Sequence, residues 1–404
     1  MSTKAIESLS EDTVRRIAEE RGEPEWLLET RLDALEALET AKLPDVIQTP
    51  GRRWTDLEAL DFEQLVDPLN QSDTTERAGG DDDVVVLPFT EAFDEYGELI
   101  EAQFGSVLAP DENYLTALSV ALFTTGTFVY VPEGVDVEDV TVRAEMSSRS
   151  LFSQTLVVAE ESSSVTILES ITSADDDVDG DRYFSNLVEV VAGENANVQF
   201  GSLQNLDEET YTYALKRGVT DTYATIDWIE SNFGSKLTRS DVETELAGDG
   251  SESQIVGTFF GTDDQHFDIN ARVWHEAEHT TADLVTRGVL DDVARSVYEG
   301  VQDVGEDAWN TSSYQRENTL MLSDDAEADA SPKLIIHNHD TEASHSATVG
   351  QVDAEDLFYL ESRSIDSRTA RNMLVEGFFV PVLEEIAVDE FREDVTELVF
   401  ERLQ

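Results

Sequence analysis

Histidine is the side chain best suited to metal or proton chemistry here, because the chain has six histidines and no cysteine. The lack of thiols excludes disulfides, thiolate nucleophiles and thiolate metal ligands. His275-Glu276-Ala277-Glu278-His279 satisfies the spacing of a zinc protease, in which two histidines one helical turn apart hold the ion and the glutamate is the base. That chemistry needs a helix. The flanks DINARVW and TTADLVTRGVL read as strands, and residues four apart on a strand are ~13 Å apart. Zinc–nitrogen bonds are only about 2.0–2.1 Å, so the pair is not expected to chelate. His337, His339 and His345 fall within nine residues. Imidazole there could bind a transition metal or handle a proton, or it could be surface polarity on an edge turn. Spacing alone favours the surface reading. No GxxxxGK[ST] or GxSxG is present, so neither a P-loop nucleotide site nor an α/β-hydrolase elbow is expected. No metal site is assigned from spacing.

These residues must be positioned by their elements. Residues 11–40 have helical spacing, with Gly22 ending one helix and Pro24 starting a second that carries Leu28, Leu32, Leu35 and Leu38. The polar stretch TTERAGGDDD, 74–83, is the best linker candidate, and a helix is predicted over Thr90–Phe104. From Gly126 to Val352 the chain is Val-rich and alternating, as strands are. Val157-Val158-Ala159, Glu161, Val165 and Ile167 align without gaps on Val190-Val191-Ala192, Glu194, Val198 and Phe200. A looser copy carries Leu246, Asp249 and Ile255. Short strands recurring this way predict a β-solenoid, whose turns bury their faces only by stacking. A β-sandwich is the alternative. At 20–25 residues per turn, the rod would be about 45–55 Å long, and its strand edges must be capped or paired. Helical patterning returns at Asp353. Asp366 is the expected N-cap, Ala370, Met373, Leu374 and Gly377 form a stripe, Pro381 marks a break, and Val388 to Val399 gives a last amphipathic helix.

The 88 acidic residues outnumber 26 basic ones, giving a formal charge of −62. Only five of the basic residues are lysine. The acids are spread along the chain, as expected of a protein from a salt-filled, halophilic cytosol where multimolar salt screens self-repulsion. No basic face exists for nucleic acid. No apolar leader or run of about 18 apolar residues exists, which predicts a cytoplasmic protein outside the membrane.

The quoted C-terminal segments resemble one family. LMLSDDAEADASPKLIIHNHDTEASHSATVGQV (320–352), DAEDLFYLESRSI and ARNMLVEGF look like the SufB/SufD family of iron–sulfur cluster assembly. PEWLLETRLDALE, GRRWTDLEAL, GTFVYVPEGVDVE and VTRGVLDDVARSVYEG extend the likeness over nearly the whole chain. The missing cysteine and the SHSATVGQ form resemble the SufD type. The resemblance implies a right-handed parallel β-helix core at 123–352, between a helical N-terminal region at 1–122 and a C-terminal helical region at 353–404. It also implies a heterodimer with a SufB-type subunit through the C-terminal ends of the β-helices, and docking of a SufC-type ABC ATPase on the C-terminal helix at Ala370, Met373, Leu374 and Phe378. His345 matches the histidine expected to help hold a transient iron–sulfur cluster or iron at the partner interface. His337 and His339 are auxiliary candidates without firm counterparts. The family often carries a cysteine where Ala343 stands and a glycine where Ser346 stands.

The expected role is a non-catalytic scaffold and interface subunit that binds no cofactor stably alone. The alternatives are a SufB-like homodimeric scaffold and a β-helical polysaccharide-active enzyme.

Overall fold

The computed structural model describes residues 9–79, 83–174, 178, 180–386 and 388–403. Strands make up 45% and helices 25% of the chain, and the strands form a solenoid of about eight turns with helices at both termini. From Thr125 to Gln351, successive strands alternate between two nine-stranded sheets, so each turn contributes one strand to each. The gapless sequence repeat is the register itself: Val157 pairs Val190, Ala159 pairs Ala192, Val165 pairs Val198 and Ile167 pairs Phe200, all in parallel. Stacked positions Ser150, Tyr183, Tyr211, Leu237, His266, Arg295 and Glu327 lie 26–33 residues apart. The turn is therefore longer than 20–25 residues, because it holds two strands of about ten residues plus two connections. Nine strands at ~4.8 Å give a stack of about 38 Å, shorter than expected from the sequence.

One edge of the solenoid is a column of tight turns. Gly134, Ser162, Asn195, Tyr223, Gly250 and His279 occupy it with φ of 57–70°. Each donates its N–H to the next turn, as Ser162 does to the Glu194 carbonyl and Asn195 to that of Thr222. Left-handed backbone costs a side chain 1–2 kcal/mol, so Gly and Asn fit here best. The ladder of N–H···O bonds offsets that cost at Tyr223 and His279.

The two outer sheet faces are covered differently. N-terminal helices Glu11–Arg21, Glu25–Ala37, Phe89–Gln103 and Tyr114–Leu122 pack on Tyr183, Leu187, Tyr213 and Leu215. The buried stripe of the second helix is Leu27, Arg31 and Ala34, rather than Leu28 and Leu32. Arg31 is tolerated because its guanidinium pairs with Glu23 at 2.7 Å and donates to the carbonyls of Val120, Ala121 and Phe123. Glu189 fixes the loop after Gln103. Its carboxylate accepts the N–H groups of Gly105, Val107 and Leu108 at 3.0–3.2 Å. Burial pushes it up to about 7 against those bonds.

C-terminal helices Ser367–Leu383 and Asp389–Arg402 lie on the opposite sheet, where Val375, Phe379, Phe391, Val395 and Val399 meet Leu168, Leu203, Ile229, Phe260 and Val289. Asp366 caps the first, accepting the Thr369 N–H at 3.1 Å. Pro381 sits inside that helix, which continues to Leu383.

The stretch expected as a linker is partly a strand. Asp73–Ala78 pairs antiparallel with Asp136–Met146, and Val85–Pro88 with Thr125–Val131. These two strands close the N-terminal end of both sheets, while residues 80–82 lie outside the described residues. A polar strand is stable here because its alternate residues face solvent and its backbone pairs with the first coil.

Candidate functional site

The other end of the solenoid is open. Its last strands, Glu327–Ile336 and Thr341–Gln351, terminate the two sheets, and among the described residues nothing pairs with their outer edges. Their residues are exposed or half-buried, whereas the preceding coils are mostly buried. Because pairing is parallel and in register, side chains stack in columns along the interior. One column runs Ile167, Phe200, Trp228, Ile255, Leu284, Gln315 and His345. His345 thus stands on the lumen-facing side of the last rung, exposed and directly over buried Gln315. Ala343 and Ala347 flank it on the same face, over Ser313 and Glu317. The facing strand places Ala330, Pro332, Leu334 and Ile336 over Tyr298, Gly300, Gln302 and Val304. The end face is therefore a small-residue, apolar rim around one imidazole. Ile336 and Val349 are more than a third exposed.

The other histidines are not assembled with it. His337 and His339 lie in the turn between those strands, not on one strand face as the two-residue spacing allowed. The His337 N–H bonds the Val304 carbonyl, and the His339 ring meets Trp309 edge-on at 5.3 Å. His345 is four residues into the next strand, ~13 Å along it from Thr341. The HExxH segment is neither a helix nor one strand: it leaves a strand at His275 and turns before His279. His275 ends a strand fully buried, with Nδ1 2.8 Å from Thr280 Oγ1 and Nε2 3.1 Å from Gln302 Oε1. His279 is exposed in the turn column, 2.7 Å from Asn310. Among the described residues no three His, Asp or Glu side chains converge to hold a metal.

The C-terminal helical surface corrects part of the expected docking stripe. Ala370 is completely buried within the chain's own fold and is unavailable to a partner. The reason is that the helix's buried stripe is Ala370, Val375, Phe379 and Val382. Met373 is 46% exposed, Leu374 is half-buried, and Phe378 covers Arg287 at 4.9 Å. The short helix Ala354–Ser362 buries none of its residues and exposes Phe358 and Tyr359 by 70% and 57%. No helix among the described residues is long and apolar enough to cross a membrane.

Sequence reading overlooked the polar residues beneath His345. The interior positions of strand Thr311–Met321 are Thr311, Ser313, Gln315, Glu317 and Thr319, all buried. In earlier coils the Gln315 column is apolar throughout, from Ile167 to Leu284, whereas the Glu317 column already carries Glu169, Ser202, Glu230 and Thr286. An alternating all-polar run was the available signal, and without the register it reads as a solvent face.

A profile of the SUF system FeS cluster assembly SufBD core domain matches residues 141–378, and one of the SufBD protein N-terminal region matches 63–142. The chain belongs to the SufBD family. It is 29% identical to the iron–sulfur cluster assembly protein SufD of Bacillus subtilis, over 97% of each chain. It is 26% identical to SufB of the same organism, over 94% of this chain and 90% of that one. A SufBD family protein of Synechocystis is 27% identical over 98% and 93%. The SufBD core profile spans the second solenoid strand through helix residue Phe378, so the family is defined by the stack and the helix laid on it. The SufBD assignment makes this a component of iron–sulfur cluster assembly.

Proposed function

We propose that this SufBD protein is the SufD-type, non-catalytic half of a cytoplasmic heterodimer. Its open end would meet the corresponding end of a SufB-type subunit, and its exposed C-terminal helices would dock a SufC-type ABC ATPase. The carrying observation is the open end itself: two unpaired strand edges and an apolar rim, with one exposed imidazole at the centre. Unpaired edges favour continuation by another chain's strands. An end lacking thiols supplies nitrogen and must find sulfur ligands on its partner. Phe358, Tyr359 and Met373 support the ATPase contact, since exposed large apolar residues beside a long helix fit a partner surface. In this reading no cluster is held stably by the chain alone, and His345 acts on a transient cluster or iron between subunits.

Co-expression with a cysteine-bearing SufB-type partner and reconstitution of the purified pair tests the site. His345→Ala should leave the pair intact and lower the rate of cluster appearance in the visible spectrum roughly tenfold or more, the loss expected on removing one ligand or its equivalent. A wild-type rate in that variant removes His345 from the site.

A further inference from the structure

Beneath His345 lies a set of buried polar atoms that the fold leaves unanswered. Ser313 Oγ, Gln315 Oε1 and Glu317 Oε2 have no hydrogen-bond partner among the described residues. All three residues are at most 4% exposed. Buried polar groups are almost always paired, so three on one face of one strand call for a ligand or a function. Tyr298, 1% exposed and bonded to the Thr286 side chain, lies beside them. Gln315 Oε1 and Tyr298 Oη stand 2.3 and 2.6 Å from where a Gly300 Cβ would be, so the glycine leaves the space between the sheets that they share. Gln315 is oriented by its own Nε2, which donates to the Lys333 carbonyl at 2.9 Å and leaves Oε1 facing inward. Tyr298 also lies near enough to Glu317 to feel its charge. Glu317 Oε1 accepts from Thr319 Oγ1 at 2.5 Å, and the Thr348 backbone amide also approaches the carboxylate. Across one rung, Gln315 pairs with His345 and Glu317 with Ala347, so imidazole and carboxylate share a face.

We infer that the cluster site extends inward from His345 to a holding site for a divalent first-row cation, formed by Glu317 and Gln315 with Tyr298 beside them. This deepens the assembly reading above and rests on it, with ferrous iron as the cargo. The donor set fits. One carboxylate, one neutral amide oxygen and one imidazole, with water completing the shell, suits a divalent ion that takes mixed oxygen and nitrogen ligands. A single carboxylate without a His/Asp/Glu triad holds an ion loosely, which suits cargo that must leave. A cation would supply the partner that the unpaired Glu317 oxygen lacks.

The test is anaerobic titration of the purified full chain with Co(II) in about 2 M KCl, where screening weakens adventitious binding to surface acids. One site per chain with a visible d–d band is expected. Glu317→Gln and Gln315→Leu should each weaken it roughly tenfold or more, and His345→Ala should shift the band as nitrogen is lost. The surface control Glu161→Gln should change nothing. Thermal melts of each variant establish that it is folded; Glu317→Gln keeps the shape, and Gln315→Leu gives an independent reading. Absence of the band, or wild-type binding in both inner variants, overturns the inner site. If that happens while the SufB-type pair still builds clusters in a His345-dependent way, the assembly reading stands. If no pair forms, that reading falls whatever Co(II) does.

Discussion

Replacing Lys216 by methionine should destabilise the solenoid by about 3–5 kcal/mol, the cost typical of orphaning a buried ionic partner. Lys216 Nζ is 2.8 and 2.9 Å from the two Glu230 carboxylate oxygens and 3.9 Å from Glu169. The three side chains are no more than 5% exposed, inside the stack. Glu169 also accepts from Asn186 at 2.8 Å and Ser202 at 3.1 Å. Even with its ammonium partner, burial holds Glu230 above the ordinary carboxyl range. Without that partner, two carboxylates are left close together in a low-dielectric interior. Glu230, already raised, must rise further above its unfolded value in the folded variant. The penalty should therefore be full at pH 8 and shrink as pH falls and the carboxyls protonate. Chemical denaturation of both forms at pH 8 and pH 5.5, at fixed high salt, measures it. Combining Lys216→Met with Glu230→Gln and Glu169→Gln should recover much of the loss, since the orphaned charges are then gone. An unchanged midpoint in the single variant would mean that water reaches this seam.

Lowering salt should produce the other large effect. The formal charge is −62, and the fold stacks like charges. Glu161 and Glu194 occupy adjacent turns of one edge column, and so do Asp249 and Glu278, linked by the ladder bonds Ser162 N–H to Glu194 O and Gly250 N–H to Glu278 O. Two charges ~5 Å apart repel by about 0.8 kcal/mol in water. Screening reaches only about 3 Å in 1 M salt but about 8 Å at physiological strength, so many such pairs and their longer-range sums grow together on dilution. The melting temperature should fall steeply as KCl drops below roughly 1 M. A salt-insensitive melt between 0.15 and 3 M would refute the reading of the charge as an adaptation to salt.

The turn-by-turn register was legible where interiors are uniformly apolar. Val157, Val165 and Ile167 found Val190, Val198 and Phe200 because each sits in a valine-rich column with identical turn length. In the loose third copy Ile255 fell in the right column, two rungs beyond Phe200 through Trp228, while Leu246 was one residue out of register and stacks through Thr220 on Ala192. The coil between them was missed because its inward positions include Lys216, Gly218 and Thr220, which break the apolar alternation. Variable connections of the coils, such as that between Ser173 and Arg182, also defeat gapless alignment and led to too short a repeat. At the site, His345 was named through resemblance; its spacing favoured an ordinary surface histidine. Its position on the lumen face depends on pairing with Gln315, a contact thirty residues away that periodicity alone does not give. Ala370 was misassigned to the outer surface because a helical stripe reveals that one face is apolar, but not which neighbour covers it.

The central claim is that the open end of the solenoid is the face of assembly. Gel filtration of the chain co-expressed with a SufB-type partner, in about 2 M KCl, tests it when run beside Ala347→Arg. That substitution sets a long charged side chain on the lumen side of the last rung, where Ala347 is exposed, and should leave the isolated chain's melt unchanged. The account predicts that the wild-type pair elutes as one complex, while Ala347→Arg elutes as a folded, separate chain. A wild-type chain that never co-elutes, or an Ala347→Arg chain that co-elutes as well as the wild type, would contradict it.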